Sequence, residues 1–89
     1  MSKAQNITIL RATASIGVST LDVVARHPQR YQIFALTAYS NADLLLSQCR
    51  QFQPQYAVMM DADAAEALEK NVEKASLKTQ VLCGVEALE

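Results

Sequence analysis

The chain has 89 residues, of which 51% are hydrophobic and 19% are charged. This is the composition of a folded globular protein, and the length allows one domain at most. Eight Lys and Arg stand against nine Asp and Glu, for a net charge of −1. A nucleic acid or an anionic membrane surface is therefore not an expected partner. No apolar run approaches the length of a membrane span.

The start of the chain indicates a protein of the bacterial cytoplasm, which is a reducing compartment. Residues 1–5 run directly into a strand-like segment, without an apolar signal core or a transit peptide. Cys49 and Cys83 lie far apart and have no His or Cys neighbour at metal-ligand spacing. Both are interpreted as small apolar residues of the core.

The first predicted elements are a short strand over 6–10 and a helix over 16–26. The helix is expected to end at His27 and Pro28, because proline cannot continue a helix. His27 is thus interpreted as part of a stop signal and not as a catalytic base. The buried face of the helix is expected to carry Gly17, Leu21, Val24 and Ala25.

A second strand and a second helix follow. The continuous apolar run 31–37 is typical of a strand covered on both faces. Asn41 can cap the next helix, which Pro54 ends. The apolar positions of this helix recur at helical spacing: Leu45, Cys49 and Phe52.

The remaining segments predict strands over 56–60 and 80–83 with a third helix between them. Asp63, followed three residues later by Glu66, forms a capping box and places the start of that helix. Asp61 and Asp63 are therefore interpreted as a turn and a helix cap, not as a metal pair. The apolar stripe of the helix is Ala65, Leu68, Val72 and Ala75. After Gly84, residues 85–89 have the pattern of a first helical turn.

These elements alternate as β-α-β-α-β-α-β, which predicts an α/β fold with a parallel sheet. Residues 1–89 correspond to the amino-terminal half of a Rossmann-like, three-layer dinucleotide-binding domain. Without the strands of the second half, the first strand is an exposed apolar edge through Ile7, Ile9 and Leu10. Homo-oligomerisation through this edge is expected.

The turn at 10–17 stands where such a domain binds phosphate. Glycines there allow a tight turn, the approach of the pyrophosphate and close packing of the helix. With a Gly-x-x-Gly-x-x-Gly spacing, the three places are Arg11, Ala14 and Gly17. Since Gly17 alone is glycine, two interpretations stay open: a dinucleotide site with an altered turn, or a turn that binds nothing.

Several runs along nearly the whole chain carry a family resemblance. The most specific are Thr13-x-Ser15-Ile16-Gly17 and Ser19-Thr20-Leu21-Asp22, supported by Ile7-Thr8-Ile9-Leu10, His27-Pro28, Phe34-Ala35-Leu36-Thr37-Ala38, Phe52-x-Pro54-x-Tyr56-Ala57-Val58 and Val81-Leu82-x-Gly84. With these runs the chain resembles the 1-deoxy-D-xylulose 5-phosphate reductoisomerase family, NADPH-dependent oxidoreductases of the non-mevalonate pathway of isoprenoid biosynthesis.

The resemblance implies an NADPH site in two parts. The pyrophosphate would be lined by Thr13, Ala14, Ser15 and Ile16. The adenosine ribose and its 2′-phosphate would meet Tyr39, Ser40 and Asn41. Helix capping is the alternative role for Ser40 and Asn41. No acidic residue of the NAD-specific kind stands between Phe34 and Asn41, and no Lys or Arg stands there either.

Two residues depart from the family turn, which is Gly-x-Thr-Gly-Ser-Ile-Gly. Ala14 would place a methyl group where the pyrophosphate approaches the backbone. Arg11 would need a left-handed or crowded conformation, which costs a non-glycine residue about 1–2 kcal/mol. Its guanidinium could attract phosphate, but charge does not remove a steric block. Impaired NADPH binding is therefore expected.

The resemblance places the catalytic and carboxy-terminal domains beyond residue 89. The family reaction converts 1-deoxy-D-xylulose 5-phosphate to 2-C-methyl-D-erythritol 4-phosphate by isomerisation and hydride transfer. It needs a divalent metal, a substrate-phosphate site and a lid. This chain is expected to hold no catalytic or metal-binding residue and to be inactive alone. The alternative is a non-catalytic, self-associating α/β fragment that binds no cofactor.

Overall fold

A computed structural model describes residues 5–84. Its strands are β1 (Gln5–Ile9), β2 (Tyr31–Ala38), β3 (Tyr56–Met59) and β4 (Gln80–Cys83). Its helices are α1 (Ser15–Arg26), α2 (Ala42–Phe52) and α3 (Ala62–Lys74). The predicted alternation of strands and helices is confirmed. The helical turn predicted for 85–89 lies outside the described residues.

The four strands form one parallel sheet in the order β1-β2-β3-β4. Right-handed crossovers between successive neighbours place every connecting helix on the same face. In agreement, α1 and α2 line a common groove, and α2 contacts α3. The described residues thus form two of the three expected layers, the sheet and one layer of helices. No helix within 5–84 is long and apolar enough to cross a membrane.

Strand register identifies the covered face and the open face of the sheet. Residues in register on parallel strands point to the same face, and the next residue along each strand points to the other. Ile9, Leu36 and Ala57 are in register under the helices and are buried. The adjacent row, Thr37, Val58 and Leu82, points to the open face and is half-buried. Within residues 5–84, the prediction that β2 is covered on both faces is therefore wrong at Thr37, which is only half-buried.

Within residues 5–84, β1 pairs with β2 alone, so the predicted position of β1 at the edge of the sheet is confirmed. The register shifts after Ile7, because Ile7 pairs with Ile33 but Thr8 pairs with Ala35. Phe34 is the extra residue of this irregularity. Its ring packs edge-on against Tyr56, with 5.3 Å between the ring centroids.

The core contains most of the residues predicted for it from helical spacing. Buried positions on the three helices are Gly17, Leu21, Val24, Leu45, Gln48, Cys49, Ala65, Leu68 and Val72. Ala25 is exposed, contrary to prediction, because it points into the open groove between α1 and α2. Burial raises the pKa of the Cys49 thiol to about 11, in keeping with its predicted role in the core. Cys83 is half-buried.

The start of α3 differs from the prediction. The cap is Asp61, whose carboxylate accepts a hydrogen bond from the backbone N–H of Ala64 at 2.9 Å. Asp63 lies in the first turn and is exposed. Glu66 pairs with Lys70 at 3.3 Å. The prediction of a capping box at Asp63 was wrong because either aspartate can cap a helix. The short connection after β3 places Asp61 directly before the first residue of α3.

Helix α1 packs very closely against the turn that precedes it. A Cβ atom at Gly17 would collide with the carbonyl oxygen of Arg11 and would lie 2.7 Å from the Cα of Ala12. Backbone atoms cannot move aside as a flexible side chain can. The packing role predicted for Gly17 is confirmed.

The position of the α3 cap predicts the effect of two matched substitutions. Asp61→Ala should lower the free energy of unfolding by about 1 kcal/mol, because it removes the acceptor for the Ala64 N–H. Asp63→Ala removes a first-turn charge and should cost about 0.5 kcal/mol or less. Urea unfolding followed by circular dichroism measures both. An equal or larger loss in Asp63→Ala would contradict the assignment.

The contact beneath Gly17 predicts that Gly17→Ala destabilises the chain even though alanine favours helix. The added methyl group forces the turn and α1 apart, at a cost of about 1–3 kcal/mol. Ser19→Ala, at an exposed site of the same helix, is the control and should stay within about 0.5 kcal/mol. Thermal unfolding measures the difference, and equal stability of the two variants would rule out the close packing.

Candidate functional site

A cleft of about 620 Å³ lies at the carboxyl ends of β1, β2 and β3. Ligands of open α/β sheets bind at this edge. The lining residues come from the turn after β1 and from the ends of β2 and β3: Leu10, Arg11, Thr13, Ala14, Thr37, Ala38, Tyr39, Val58 and Met60. Apolar side chains dominate the lining, and Arg11 is the charged residue among the nine.

The turn after β1 is anchored to the end of β2. The Arg11 N–H donates to the hydroxyl of Thr37 at 3.0 Å, and the Ala12 N–H donates to the Thr37 carbonyl at 2.7 Å. The Ala14 N–H then donates to the Arg11 carbonyl at 2.9 Å, which closes the turn. Three of the turn's amides are therefore committed before α1 begins.

Arg11 adopts the left-handed conformation predicted for it, with a φ of 55°. This region favours glycine, because a Cβ atom crowds the neighbouring carbonyl. The N–H groups of Arg11 and Ala12 both donate to Thr37, and these two bonds hold Arg11 in this conformation. The arginine side chain is exposed at the mouth of the cleft.

The three helices begin differently. Asn41 caps α2 by accepting from the Leu44 N–H at 3.2 Å, and Asp61 caps α3. At α1 the cap position is Ala14, no side chain of the described residues caps the helix, and its first turn holds no acidic residue. The first amides of a helix have no partner inside it. An uncapped helix start carries partial positive charge and attracts anions.

The structure brings some of the predicted site residues together and separates others. Thr13, Ala14 and Tyr39 line the cleft, where Tyr39 is 73% exposed. The side chains of Ser15 and Ile16 lie on the outer surface of α1, and Ile16 is 83% exposed. Neither residue is among those that line the cleft.

Ser40 and Asn41 do not line the cleft. Asn41 has the capping role that was left open for it. The carbonyl of Ser40 accepts from the Ala42 N–H at 2.9 Å, also at the start of α2. The cofactor roles of the seven residues Thr13, Ala14, Ser15, Ile16, Tyr39, Ser40 and Asn41 stay predictions.

Sequence reasoning missed five lining residues: Leu10, Thr37, Ala38, Val58 and Met60. The signal was available, because each lies at or just beyond the end of a strand, and parallel strands end at one edge. Among residues 5–84, His, Cys, Asp and Glu side chains form no group of three that could hold a metal ion.

Comparison with known sequences identifies the family. The model of the 1-deoxy-D-xylulose 5-phosphate reductoisomerase family matches residues 7–89. The reductoisomerase of Nitrosomonas europaea is 57% identical over 89 residues, and that of Cellvibrio japonicus is 53% identical over 88. These alignments cover 100% and 99% of this chain. The chain spans 22% of the length of each relative.

Solved structures of the family have the same fold over this region. The reductoisomerase of Zymomonas mobilis in complex with NADPH matches with a TM-score of 0.89 at 35% identity, over 99% of this chain and 23% of that one. A reductoisomerase in complex with NADPH, fosmidomycin and magnesium matches with a TM-score of 0.88 at 42% identity, over 94% and 20%. The chain belongs to the 1-deoxy-D-xylulose 5-phosphate reductoisomerase family.

Proposed function

We propose that this chain is the NADPH-binding amino-terminal part of a reductoisomerase and is inactive alone. The observation that carries the proposal is the uncapped start of α1 beside the cleft at the carboxyl edge of the sheet. Family membership supports it, as do two similar structures in complex with NADPH. The chain spans only 22% of its relatives, so turnover would need residues outside it.

The chemistry of the cleft fits two parts of a dinucleotide, the pyrophosphate and a base. The amides at the start of α1 and the Arg11 guanidinium suit an anionic pyrophosphate. Leu10, Val58, Met60 and the Tyr39 ring offer apolar surface to a flat base. Thr13, Ala14 and the backbone of Ser15 and Ile16 would hold the pyrophosphate. Tyr39, Ser40 and Asn41 would approach the adenosine ribose and its 2′-phosphate.

We further propose that Arg11 and Ala14 are alterations of the family's glycine turn that weaken binding. Ala14 is the cap residue of α1 and lines the cleft. Its methyl group therefore lies next to the amides that the pyrophosphate would approach. The left-handed Arg11 adds backbone strain, which its favourable charge offsets only in part.

In a complete enzyme NADPH supplies the hydride for the reduction step. The contribution of this chain is to bind and orient the cofactor through the turn and the cleft. The divalent metal and the substrate would be held by residues beyond position 89, in keeping with the small share of the relatives that the chain covers.

Restoring the two glycines should strengthen NADPH binding. The variant Arg11→Gly/Ala14→Gly removes the methyl group and the strain, and its affinity should rise about tenfold, which corresponds to about 1.4 kcal/mol. A fluorescence titration with NADPH into the millimolar range measures the affinity. The control is Arg30→Gly/Ala62→Gly, which makes the same changes at exposed sites that do not line the cleft.

The single variants separate charge from shape. Ala14→Gly should bind more tightly than the unmodified chain, whereas Arg11→Gly loses a cation and should gain less. No saturable signal in any variant would overturn NADPH binding by this chain. An affinity that is equal in the restored and control variants would overturn the assignment of Arg11 and Ala14 as the obstruction.

A second candidate function, self-association, is favoured by the edge position of β1. Within the described residues β1 has a strand neighbour on one side, and an unpaired strand edge invites pairing with another chain. Large apolar side chains are exposed at the open side of the sheet, among them Leu10, Phe34, Tyr39 and Met60. A second copy of this chain could cover the unpaired edge of β1 and these apolar side chains at once.

If β1 mediates assembly, the chain should sediment as a dimer or larger species at high micromolar concentration. Thr8→Lys places a charge on the exposed edge strand and should shift the distribution to monomer, because lysine protects edges. Thr20→Lys, on the exposed surface of α1, is the matched control. A monomeric unmodified chain at that concentration rules out this candidate.

A further inference from the structure

Helix α2 carries a polar side chain into the core. Gln48 is 6% exposed, and its Nε2 donates a hydrogen bond to the carbonyl oxygen of Ala12 at 2.7 Å. Ala12 lies in the middle of the turn after β1 and is fully buried. Within residues 5–84 this is the one side-chain hydrogen bond from the helical layer to the turn.

The bond sets the direction of one peptide group. In a trans peptide the C=O of one residue and the N–H of the next point in opposite directions, and the described residues contain no cis bond. Because Gln48 draws the Ala12 carbonyl towards α2, the Thr13 N–H points away from the helical layer. Thr13 is one of the residues that line the cleft.

The Thr13 amide is also free to bind. The N–H groups of Arg11, Ala12 and Ala14 are committed to hydrogen bonds. Within residues 5–84, the N–H of Thr13 donates no hydrogen bond. It therefore stands beside the uncapped start of α1 as a further donor for an anion in the cleft.

Stability alone does not account for a glutamine at this position. Its Nε2 satisfies a buried carbonyl, but its Oε1 is buried without a partner among the described residues. A buried unpaired acceptor costs at least as much as a single hydrogen bond contributes. The glutamine therefore adds little net stability, whereas its bond to Ala12 orients the turn.

We propose that Gln48 is a positioning residue for the cofactor turn: it holds the Ala12–Thr13 peptide so that the Thr13 N–H faces the cleft. The proposal rests on the proposed function for the identity of the ligand, NADPH. The orientation of the peptide itself does not depend on any ligand.

The test compares Gln48→Met with Gln51→Met in the full chain. Methionine keeps the volume but has no donor, so the Ala12–Thr13 peptide loses its tether. The Ala12 carbonyl and Thr13 amide resonances should move in nuclear magnetic resonance spectra, and NADPH should bind about tenfold more weakly. Gln51 lines the same groove but is exposed, so its variant should change neither quantity.

The outcomes separate this proposal from the proposed function. Unchanged Ala12 and Thr13 resonances in Gln48→Met overturn the positioning role, as does lower thermal stability with unchanged NADPH affinity. If the unmodified chain gives no saturable NADPH signal, the proposed function fails, while the resonances still decide the role of Gln48. If Gln48→Met does not fold, Gln48→Asn replaces it. Its donor is one methylene too short for Ala12, and the same resonance changes are expected.

Discussion

Two hydrogen bonds to Thr37 set the geometry on which the cleft depends. They place the turn after β1 over the end of β2 and keep Arg11 in a left-handed conformation. The turn can then reverse the chain within a few residues, so that α1 starts at the edge of the sheet. Gly17 completes the arrangement, since any larger residue would separate α1 from the turn. The uncapped helix start and the cleft are adjacent as a result.

Strand order explains why the cleft and the apolar surface lie together. Each strand pairs with its neighbour in the chain, so the right-handed connections within residues 5–84 put no helix on one face of the sheet. Thr37 and Val58 belong to both the open face and the cleft. A ligand in the cleft and a second copy on the open face would therefore use overlapping surface. If both occur, the two candidate functions would compete for this surface.

The buried polar side chains of this small core form hydrogen bonds to segments that connect the strands and helices. Gln48 and Thr79 are the buried polar residues of the described part of the chain, and each donates to a backbone carbonyl. Thr79 donates to Pro54 at 2.6 Å, just before β3, and Gln48 donates to Ala12. Both bonds hold a connecting segment against the sheet, which secondary structure alone does not do. The rest of the core is apolar, including the buried Cys49.

Patterns in neighbouring residues were enough to predict the strands and helices and the strained backbone at Arg11. Strand and helix periodicity predicted the alternation, Asn41 and Pro54 predicted the limits of α2, and the glycine spacing predicted the strain at Arg11. The elements and their limits depend on residues that are close in the chain, whereas the bonds that hold Arg11 in its conformation come from Thr37, 26 residues away. Family membership also follows from sequence alone.

Other features depend on contacts between distant segments, and only the tertiary structure decided them. Gln48 and Ala12 are 36 residues apart, and helical periodicity treats a glutamine as a surface residue. Whether Asp61 or Asp63 caps α3 depends on where β3 ends and α3 begins to pack against the sheet. The exposure of Ala25 depends on the groove that α1 leaves beside α2. Spacing along the chain determined which elements form, whereas their packing in space decided which side chains are buried, bonded or left at the cleft.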